Sequence, residues 1–289
     1  MNAQMDLFGV PAVAAPAPRP AANQPPAAPL DPVLKWAGGK RWLVPTLRDL
    51  YAPHRDCRLV EPFVGGMAVA LGLQPSRALL NDANPYLVGL YRHMALGFTV
   101  PGAVPLLNDA TTYYANRERF NALRLQTGVS AEAAGLFYYL NRTGFNGLCR
   151  FNRSGGYNVP FGKYASINYR RDFTAYAPVL SRWEIVCGDF SAVPVLPGDY
   201  LYADPPYDGT FTDYAAGGFD WCAQERLAAW LARHDGPVVT SNAATPRILA
   251  LYEGLGFAIQ TVQAPRRISC DGDREAVGEM LATRGTGAL

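Results

Sequence analysis

Arg58-Leu-Val-Glu-Pro-Phe-Val-Gly-Gly-Met67, followed closely by Ala78-Leu-Leu-Asn-Asp82, decides the fold. Arg58 to Phe63 reads as a short buried strand, Gly65-Gly66 breaks it with a turn, and Met67 to Leu73 fits a helix. Ala78 to Asp82 reads as a second strand and Pro85 to Leu96 as a second helix, with proline in the first turn, where an amide N–H would lack a partner anyway. Strand, glycine turn, helix, strand and helix in that order predict a doubly wound α/β sheet.

Further along, the alternation stops and then returns. Asn116 to Leu125 and Ala131 to Leu140 read as helices, and Asn141 to Tyr164 is rich in Gly, Asn, Arg and aromatics without a helical period. Trp183–Cys187, Asp199–Ala203, Pro237–Ser241 and Phe257–Val262 then read as strands, and Ala223–His234 and Pro246–Glu253 as helices. The expected organisation is therefore a sheet domain over 31–96 and 181–289, interrupted by an insert over 97–180. Residues 1–30 form a tail whose Pro- and Ala-rich composition buries too little apolar surface to offset its ordering entropy, so a disordered tether is expected there.

Composition narrows the function. The chain has 289 residues, 49% of them hydrophobic and 17% charged, which suits a globular protein. No stretch reaches the run of about 18 apolar residues that a membrane span needs. The first basic residue is Arg19 and prolines interrupt the N-terminal apolar residues, so no secretory signal is read and a cytoplasmic location is expected. The 5 cysteines and 3 histidines are scattered, which gives no metal-ligand spacing and no disulfide framework. Net charge is only +2, yet Arg142, Arg150, Arg153, Lys163, Arg170 and Arg171 span a window without one Asp or Glu. So one-sided a window points to a polyanionic partner.

The sharpest chemical signal is Asp204-Pro-Pro-Tyr207, directly after the apolar Tyr200-Leu-Tyr-Ala203. Open α/β sheets bind ligands at the carboxyl ends of their strands. The prolines fix the chain and lack N–H donors, so a carboxylate, an outward carbonyl and an aromatic face meet at one point. That set suits the exocyclic amine of a planar base. If Asp204 and the Pro205 carbonyl each accept an amine hydrogen, the nitrogen lone pair is freed from the ring, and Tyr207 can stack on the base. A second signal lies in Glu61-Pro-Phe63-Val-Gly65-Gly66, where glycine allows a close backbone approach, with Asp82 placed at the next strand end to hold ribose hydroxyls. The Gly-x-Gly-x-x-Gly spacing of nicotinamide enzymes is missing, because Met67, Ala68 and Val69 follow Gly66. Leu34-Lys-Trp-Ala-Gly-Gly-Lys40 is not a phosphate loop, since Arg41 stands where Ser or Thr is required. Trp36 and Lys40 could flank a small aromatic ligand bearing a carboxylate; a packed tryptophan and a surface lysine would read the same way.

Leu34–Lys40, Leu59-Val-Glu-Pro-Phe-Val-Gly65, Asn81-Asp-Ala-Asn84 and Asp204–Tyr207 together resemble the Dam-type, alpha-group DNA adenine methyltransferases, from about Leu34 to Leu281. The resemblance implies a Rossmann-like methyltransferase sheet with an inserted, mostly helical target-recognition domain carrying a β-hairpin. It implies transfer of a methyl group from S-adenosylmethionine to the N6 amine of an adenine flipped out of double-stranded DNA. By that likeness Trp36, Lys40, Phe63, Gly65, Asp82 and Asp204 surround the cofactor, and Asp204, Pro205, Pro206 and Tyr207 hold the adenine. Leu140–Asn152 with Tyr157–Gly162 resembles the family's DNA-reading hairpin. Arg150 would then read a guanine, Phe145 and Asn146 would fill the gap left by the flipped base, and Leu148 and Pro160 would touch neighbouring bases. Arg142, Asn152, Arg153 and Lys163 complete the DNA face, with GATC as the expected target. The family commonly has glycine where this chain has Met67.

Gln4-Met-Asp-Leu-Phe8 resembles peptides that dock on the bacterial sliding clamp, and Arg266-Arg-Ile-Ser269 with Arg274 fits a further DNA-facing loop or an ordinary basic one. A monomer is expected. Competing readings are a methyltransferase acting on cytosine amines, RNA or a protein glutamine, and a DNA-binding homologue that has lost catalysis. Asp rather than Ser or Asn before Pro205-Pro-Tyr207 weighs against the first group, and intact Asp82 and Asp204 against the second.

Overall fold

The computed structural model describes residues 30–126, 129–208, 219–264 and 277–287, with no side chains described at 124–126, 264 and 277. In chain order the elements are α1 (Val44–Tyr51), β1 (Leu59–Glu61), α2 (Ala68–Leu73), β2 (Ala78–Asp82), α3 (Pro85–Ala95), α4 (Ala110–Gln126), α5 (Ala131–Thr143), α6 (Ala177–Leu180) and β3 (Glu184–Cys187). They continue with β4 (Tyr200–Ala203), α7 (Trp221–Ala232), β5 (Val238–Ala243), α8 (Pro246–Gly254), β6 (Ala258–Ala264) and β7 (Val277–Arg284). The described residues fall into two compact units, one from 1–38 with 84–187, the other from 39–83 with 188–289. The first unit thus carries α3 and β3 in addition to residues 97–180. Among the described residues no helix is long and apolar enough to cross a membrane.

The second unit holds six strands, in the order β2-β1-β4-β5-β7-β6. From β2 to β5 the strands are parallel, with Leu59 opposite Ala78 and Tyr200, and Leu201 opposite Val238. Strand β7 runs antiparallel between β5 and β6, which places Glu279 opposite Ala243 and Val262. Because its direction is reversed, β7 begins at the edge where β1, β2, β4 and β5 end. This arrangement delivers side chains from five strands to one edge. Leu59, Val60, Leu79, Leu80, Leu201, Val238 and Val239 are all fully buried, as expected for a sheet covered on both faces, each worth about 1.5–3 kcal/mol of transfer free energy.

The first unit is helical with an aromatic core that includes Tyr113, Phe120, Phe137, Tyr138, Tyr157 and Phe173. Helix α3 starts at Pro85, with the Asn84 side chain accepting from the Tyr86 and Leu87 amides, and α5 starts after Ser130, which accepts from the Ala133 amide. Helix α4 begins six residues before the expected Asn116 (116 against 110), since Asp109 accepts from the Thr112 amide and caps it. The expected hairpin is present as an antiparallel return held by two isolated bridges, Gly144 to Phe161 and Phe151 to Tyr157, and not as a continuous ladder.

Three elements, α1, α6 and β7, were not expected from sequence. Helices α1 and α6 are short, and each carries proline in its first turn, a start signal with little periodic sequence behind it. Strand β7 is rich in Glu, Met, Leu and Ala, which favour helix locally; pairing on both sides with β5 and β6 overrides that preference. The tail at 1–29, with Gln4–Phe8, and the Arg266–Ser269 and Arg274 segment lie outside the described residues.

Candidate active site

Asp204 follows β4 at the carboxyl edge, and its carboxylate is held from two sides. Ser241 Oγ on β5 donates to Asp204 Oδ1 at 2.8 Å, and Tyr202 OH lies 3.1 Å from Ser241 Oγ. Lys40 Nζ lies 3.0 Å from the same Oδ1 and 3.6 Å from Glu279 Oε1 on β7. Lys40 is no surface lysine: a short 3-10 turn (Lys40–Trp42) turns its side chain inward, leaving it 4% exposed. Its ammonium also sits 4.7 Å from the centre of the Tyr207 ring, within cation–π range.

Burial pushes the Glu279 carboxyl above its ordinary range, against the opposing pull of Lys40. Burial, then the Asp204 charge, raises the Tyr207 phenol well above its usual value, so the hydroxyl stays protonated. Tyr207 is half-buried as a residue while its hydroxyl lies out of solvent.

The loop after Asp204 is fixed by neighbours from α7, β5 and α8. Gln224 Nε2 donates to the Pro206 carbonyl at 2.8 Å, and Asn242 Nδ2 donates to Gln224 Oε1 at 2.9 Å. Asp208 pairs with Arg247, accepts from Thr245 Oγ1 at 3.3 Å, and donates its backbone amide to Asn242 Oδ1 at 3.4 Å. Arg247 in turn lies over the Trp221 ring at 4.5 Å. The sequence therefore places two adjacent proline carbonyls in different situations. That of Pro206 is occupied, whereas that of Pro205 has no hydrogen-bond partner among the described residues.

At the β1–β2 side, Gly65 takes φ 45°, a left-handed value that glycine adopts readily, and its amide donates to Asp82 Oδ2 at 3.1 Å. Asn81 Nδ2 donates to the carbonyls of Pro62 and Gly188 at 2.9 and 3.0 Å, tying the loops after β1 and β2 to the segment that follows β3. Phe63 lies 5.6 Å from both Phe190 and Phe219, a half-open aromatic cluster. Glu61 is buried, with Oε1 lacking a hydrogen-bond partner, and burial followed by the Asp204 charge pushes its carboxyl well above the ordinary range. Met67 is buried with φ 61° and ψ 24°. Met67 thus holds a left-handed backbone, the conformation that glycine adopts with least strain.

In the first unit, Trp36 is half-buried beside Lys35, whose backbone exchanges two hydrogen bonds with the Asn141 side chain, at 2.9 and 2.8 Å. Lys35 Nζ donates to the Arg142 carbonyl at 2.9 Å and lies 3.3 Å from the Tyr164 ring centre; burial, then the Arg142 charge, lowers its pKa to about 8. Close by, Gly147 at φ 63° passes so near Lys35 that an added Cβ would fall 2.2 Å from the Lys35 Cβ. The turn at Phe145–Gly147 presents Phe145, 46% exposed, with Asn146 at φ 52°. Pro160 is exposed and accepts from the Phe145 amide at 2.9 Å. Arg150 Nε donates to Asn158 Oδ1 at 2.8 Å across the return, Leu148 is half-buried with its carbonyl bonded by Tyr157 OH at 2.9 Å, and Arg142 Nη2 reaches the Asn168 carbonyl at 3.3 Å. Asn152 spends its side chain on the tip, accepting from the Gly156 amide at 2.7 Å.

Lys40, Phe63, Gly65, Asp82 and Asp204–Tyr207 accordingly belong to the second unit, and Trp36, Arg142, Phe145, Asn146, Leu148, Arg150, Asn152 and Pro160 to the first. Ser241, Gln224, Asn242, Phe190 and Glu279 were not singled out from sequence. Strand order brings Ser241, Asn242 and Glu279 to the site, whereas Gln224 comes from α7 and Phe190 from a short 3-10 turn.

Over residues 36–268 the chain matches the family model of the D12 class N6 adenine-specific DNA methyltransferases. It is 34% identical over 265 residues to the retron Ec67 DNA adenine methylase of Escherichia coli, covering 88% of this chain and 91% of that protein. It is 35% identical over 269 residues to the DNA adenine methylase of Escherichia coli K12, covering 86% and 93%. It is also 34% identical over 260 residues to the DNA N-6-adenine-methyltransferase of Escherichia phage P1, covering 85% of this chain and 34% of that protein.

Proposed function

The chain belongs to the D12 class of N6 adenine-specific DNA methyltransferases, and from that premise we propose that it moves a methyl group from S-adenosylmethionine to an adenine flipped out of the duplex at GATC. The observation that carries this reading is the unequal treatment of the two proline carbonyls beside Asp204. With Pro206 bonded to Gln224 and Pro205 unbonded among the described residues, Asp204 and Pro205 are left to accept the two hydrogens of one amine. Those bonds draw the nitrogen toward tetrahedral geometry and free its lone pair. Lys40 covers one face of Tyr207, so the base stacks on the other. Asp204 takes the proton that the methylated amine releases, while Ser241 and Lys40 keep its carboxylate in register.

S-adenosylmethionine, when bound, supplies an electrophilic methyl group. The residues of the second unit suit it: a glycine turn clamped to Asp82, the aromatic Phe63, and a buried Glu61 oxygen without a protein partner. Lys40 belongs to the same surroundings through Asp204, and Trp36 closes the set by family likeness.

For DNA, the exposed Phe145 on its tight turn, with Asn146, suits the gap left by the flipped base. Arg150, presented on a short antiparallel return, reads guanine; Leu148 and Pro160 contact neighbouring bases; Arg142, Asn152, Arg153 and Lys163 meet the backbone. The enzyme acts as a monomer on double-stranded DNA of the cytoplasmic nucleoid, and Gln4–Phe8 docks it on a sliding clamp. Failure of a Met1–Val10 peptide to bind a clamp by calorimetry would remove that last element. The target is tested by methylating plasmid from a strain lacking GATC methylation, then digesting it with GATC enzymes of differing methyl sensitivity. A GATC-specific change in cutting is expected; methyl incorporation without it would discard the target.

A further inference from the structure

We infer that Glu279, at the start of β7, is a positioning residue for methyl transfer, holding Lys40 in place beside Asp204. This rests on the methyl-transfer reading above and adds to it a residue from the far end of the chain. Three observations converge. The reversed direction of β7 brings Glu279, paired opposite Ala243 and Val262, to the edge where Asp204 emerges. Glu279 Oε1 lies 3.6 Å from Lys40 Nζ, the ammonium that is itself 3.0 Å from Asp204. Glu279 is only 5% exposed. A carboxylate seldom stays buried without a partner, and this one has the Lys40 ammonium, part of the constellation that receives the base.

The consequence is electrostatic. With Glu279 ionised, Lys40 divides its attraction between two carboxylates, and Asp204 remains a strong acceptor for an amine hydrogen. With Glu279 neutral, the full pull of Lys40 falls on Asp204 Oδ1, already shared with Ser241, and Asp204 becomes a weaker acceptor. The groups facing Glu279 are Lys40 from the 3-10 turn, Asp204 and Tyr207 from the loop after β4, and Tyr202 on β4. Its neighbours on β5 and β6, Ala243 and Val262, bring no titratable side chain.

The test compares wild type, Glu279→Gln and Glu279→Asp in steady-state methylation of an unmethylated duplex, with kcat and KM for DNA and S-adenosylmethionine measured from pH 5 to 9. Glu279→Gln should lower kcat by about tenfold to a hundredfold, less than the hundredfold to thousandfold typical of a group touching the reacting atoms. Both KM values should stay within about threefold, and Glu279→Asp should recover part of the loss, since it restores the charge. The wild-type kcat should fall on the acid side above the ordinary carboxylate value of about 4.3, and that limb should move to lower pH in Glu279→Gln. Unchanged kcat in Glu279→Gln, or a loss confined to KM, would overturn the inference. Should Glu279→Gln fail to fold, a wild-type acid limb at the ordinary carboxylate value overturns it equally. Wild-type protein that transfers no methyl group would instead overturn the underlying reading, a result the parallel assay keeps separate.

Discussion

Gln224 on α7 donates its side-chain amide to the carbonyl of Pro206, at 2.8 Å, from a position 1% exposed to solvent. The bond occupies one of two neighbouring carbonyls and leaves the other, that of Pro205, for the amine of the proposed substrate. It is supported behind by Asn242, whose amide donates to Gln224 Oε1. Replacement by the nearly isosteric Gln224→Met leaves Pro206 and Asn242 without that partner. Two lost bonds among buried groups should cost about 1–3 kcal/mol of stability. The released loop should lower kcat by about tenfold or more while S-adenosylmethionine binding holds. Thermal unfolding and single-turnover kinetics check both; a destabilised variant with wild-type kcat would show that the bond is only structural.

Met67→Gly sets two effects against each other. Glycine would relieve a left-handed backbone worth about 1–2 kcal/mol, yet it removes a side chain only 1% exposed, whose truncation costs about 2–5 kcal/mol. Burial should win, so urea denaturation should report a net loss of roughly 1–3 kcal/mol. A more stable variant would mean that backbone strain dominates at this turn.

Glu61→Gln should change stability in a pH-dependent way. Burial, then the Asp204 charge, raises the Glu61 pKa in the folded protein. The folded state then holds a proton that the unfolded chain releases above about pH 4.3. The penalty is absent below that value, grows as pH rises through the window between the two pKa values, and is constant above the folded one. Glutamine removes it, and its carbonyl can still accept the Ala70 amide. The variant's Tm should match wild type near pH 4 and exceed it increasingly toward pH 8. A difference independent of pH, or one that narrows as pH rises, would contradict the burial of an unpaired carboxyl.

Arg150→Ala should weaken discrimination at a single base pair. A bidentate arginine–guanine contact contributes about 1–3 kcal/mol, equivalent to roughly fivefold to 150-fold in kcat/KM between the correct and a substituted pair. Methylation rates on duplexes substituted one position at a time should flatten at one position only. Uniform loss across all duplexes would make Arg150 a phosphate contact.

Much of this was legible in the sequence because the signals were local. Gly65-Gly66 before a helix, Asp82 ending an apolar strand, and Asp204-Pro-Pro-Tyr207 after another declare their place without reference to distant residues. Glu279 did not, because β7 has the composition of a helix and is held as a strand only by partners on both sides. Ser241 and Asn242 read simply as the end of a strand, although β5 lies beside β4 and so puts them on Asp204 and Gln224. Lys40 was expected near a cofactor, but its burial between Asp204 and Glu279 depends on a turn that composition does not encode.

The central claim, that Asp204-Pro-Pro-Tyr207 methylates the adenine amine, is tested most directly by nucleoside analysis of unmethylated plasmid incubated with methyl-labelled S-adenosylmethionine. Wild type and Asp204→Ala would be run side by side. The account predicts label in N6-methyldeoxyadenosine for the wild type, and about a hundredfold or greater loss for Asp204→Ala at saturating cofactor. Label in a cytosine nucleoside, or an Asp204→Ala enzyme that keeps its rate, would contradict it.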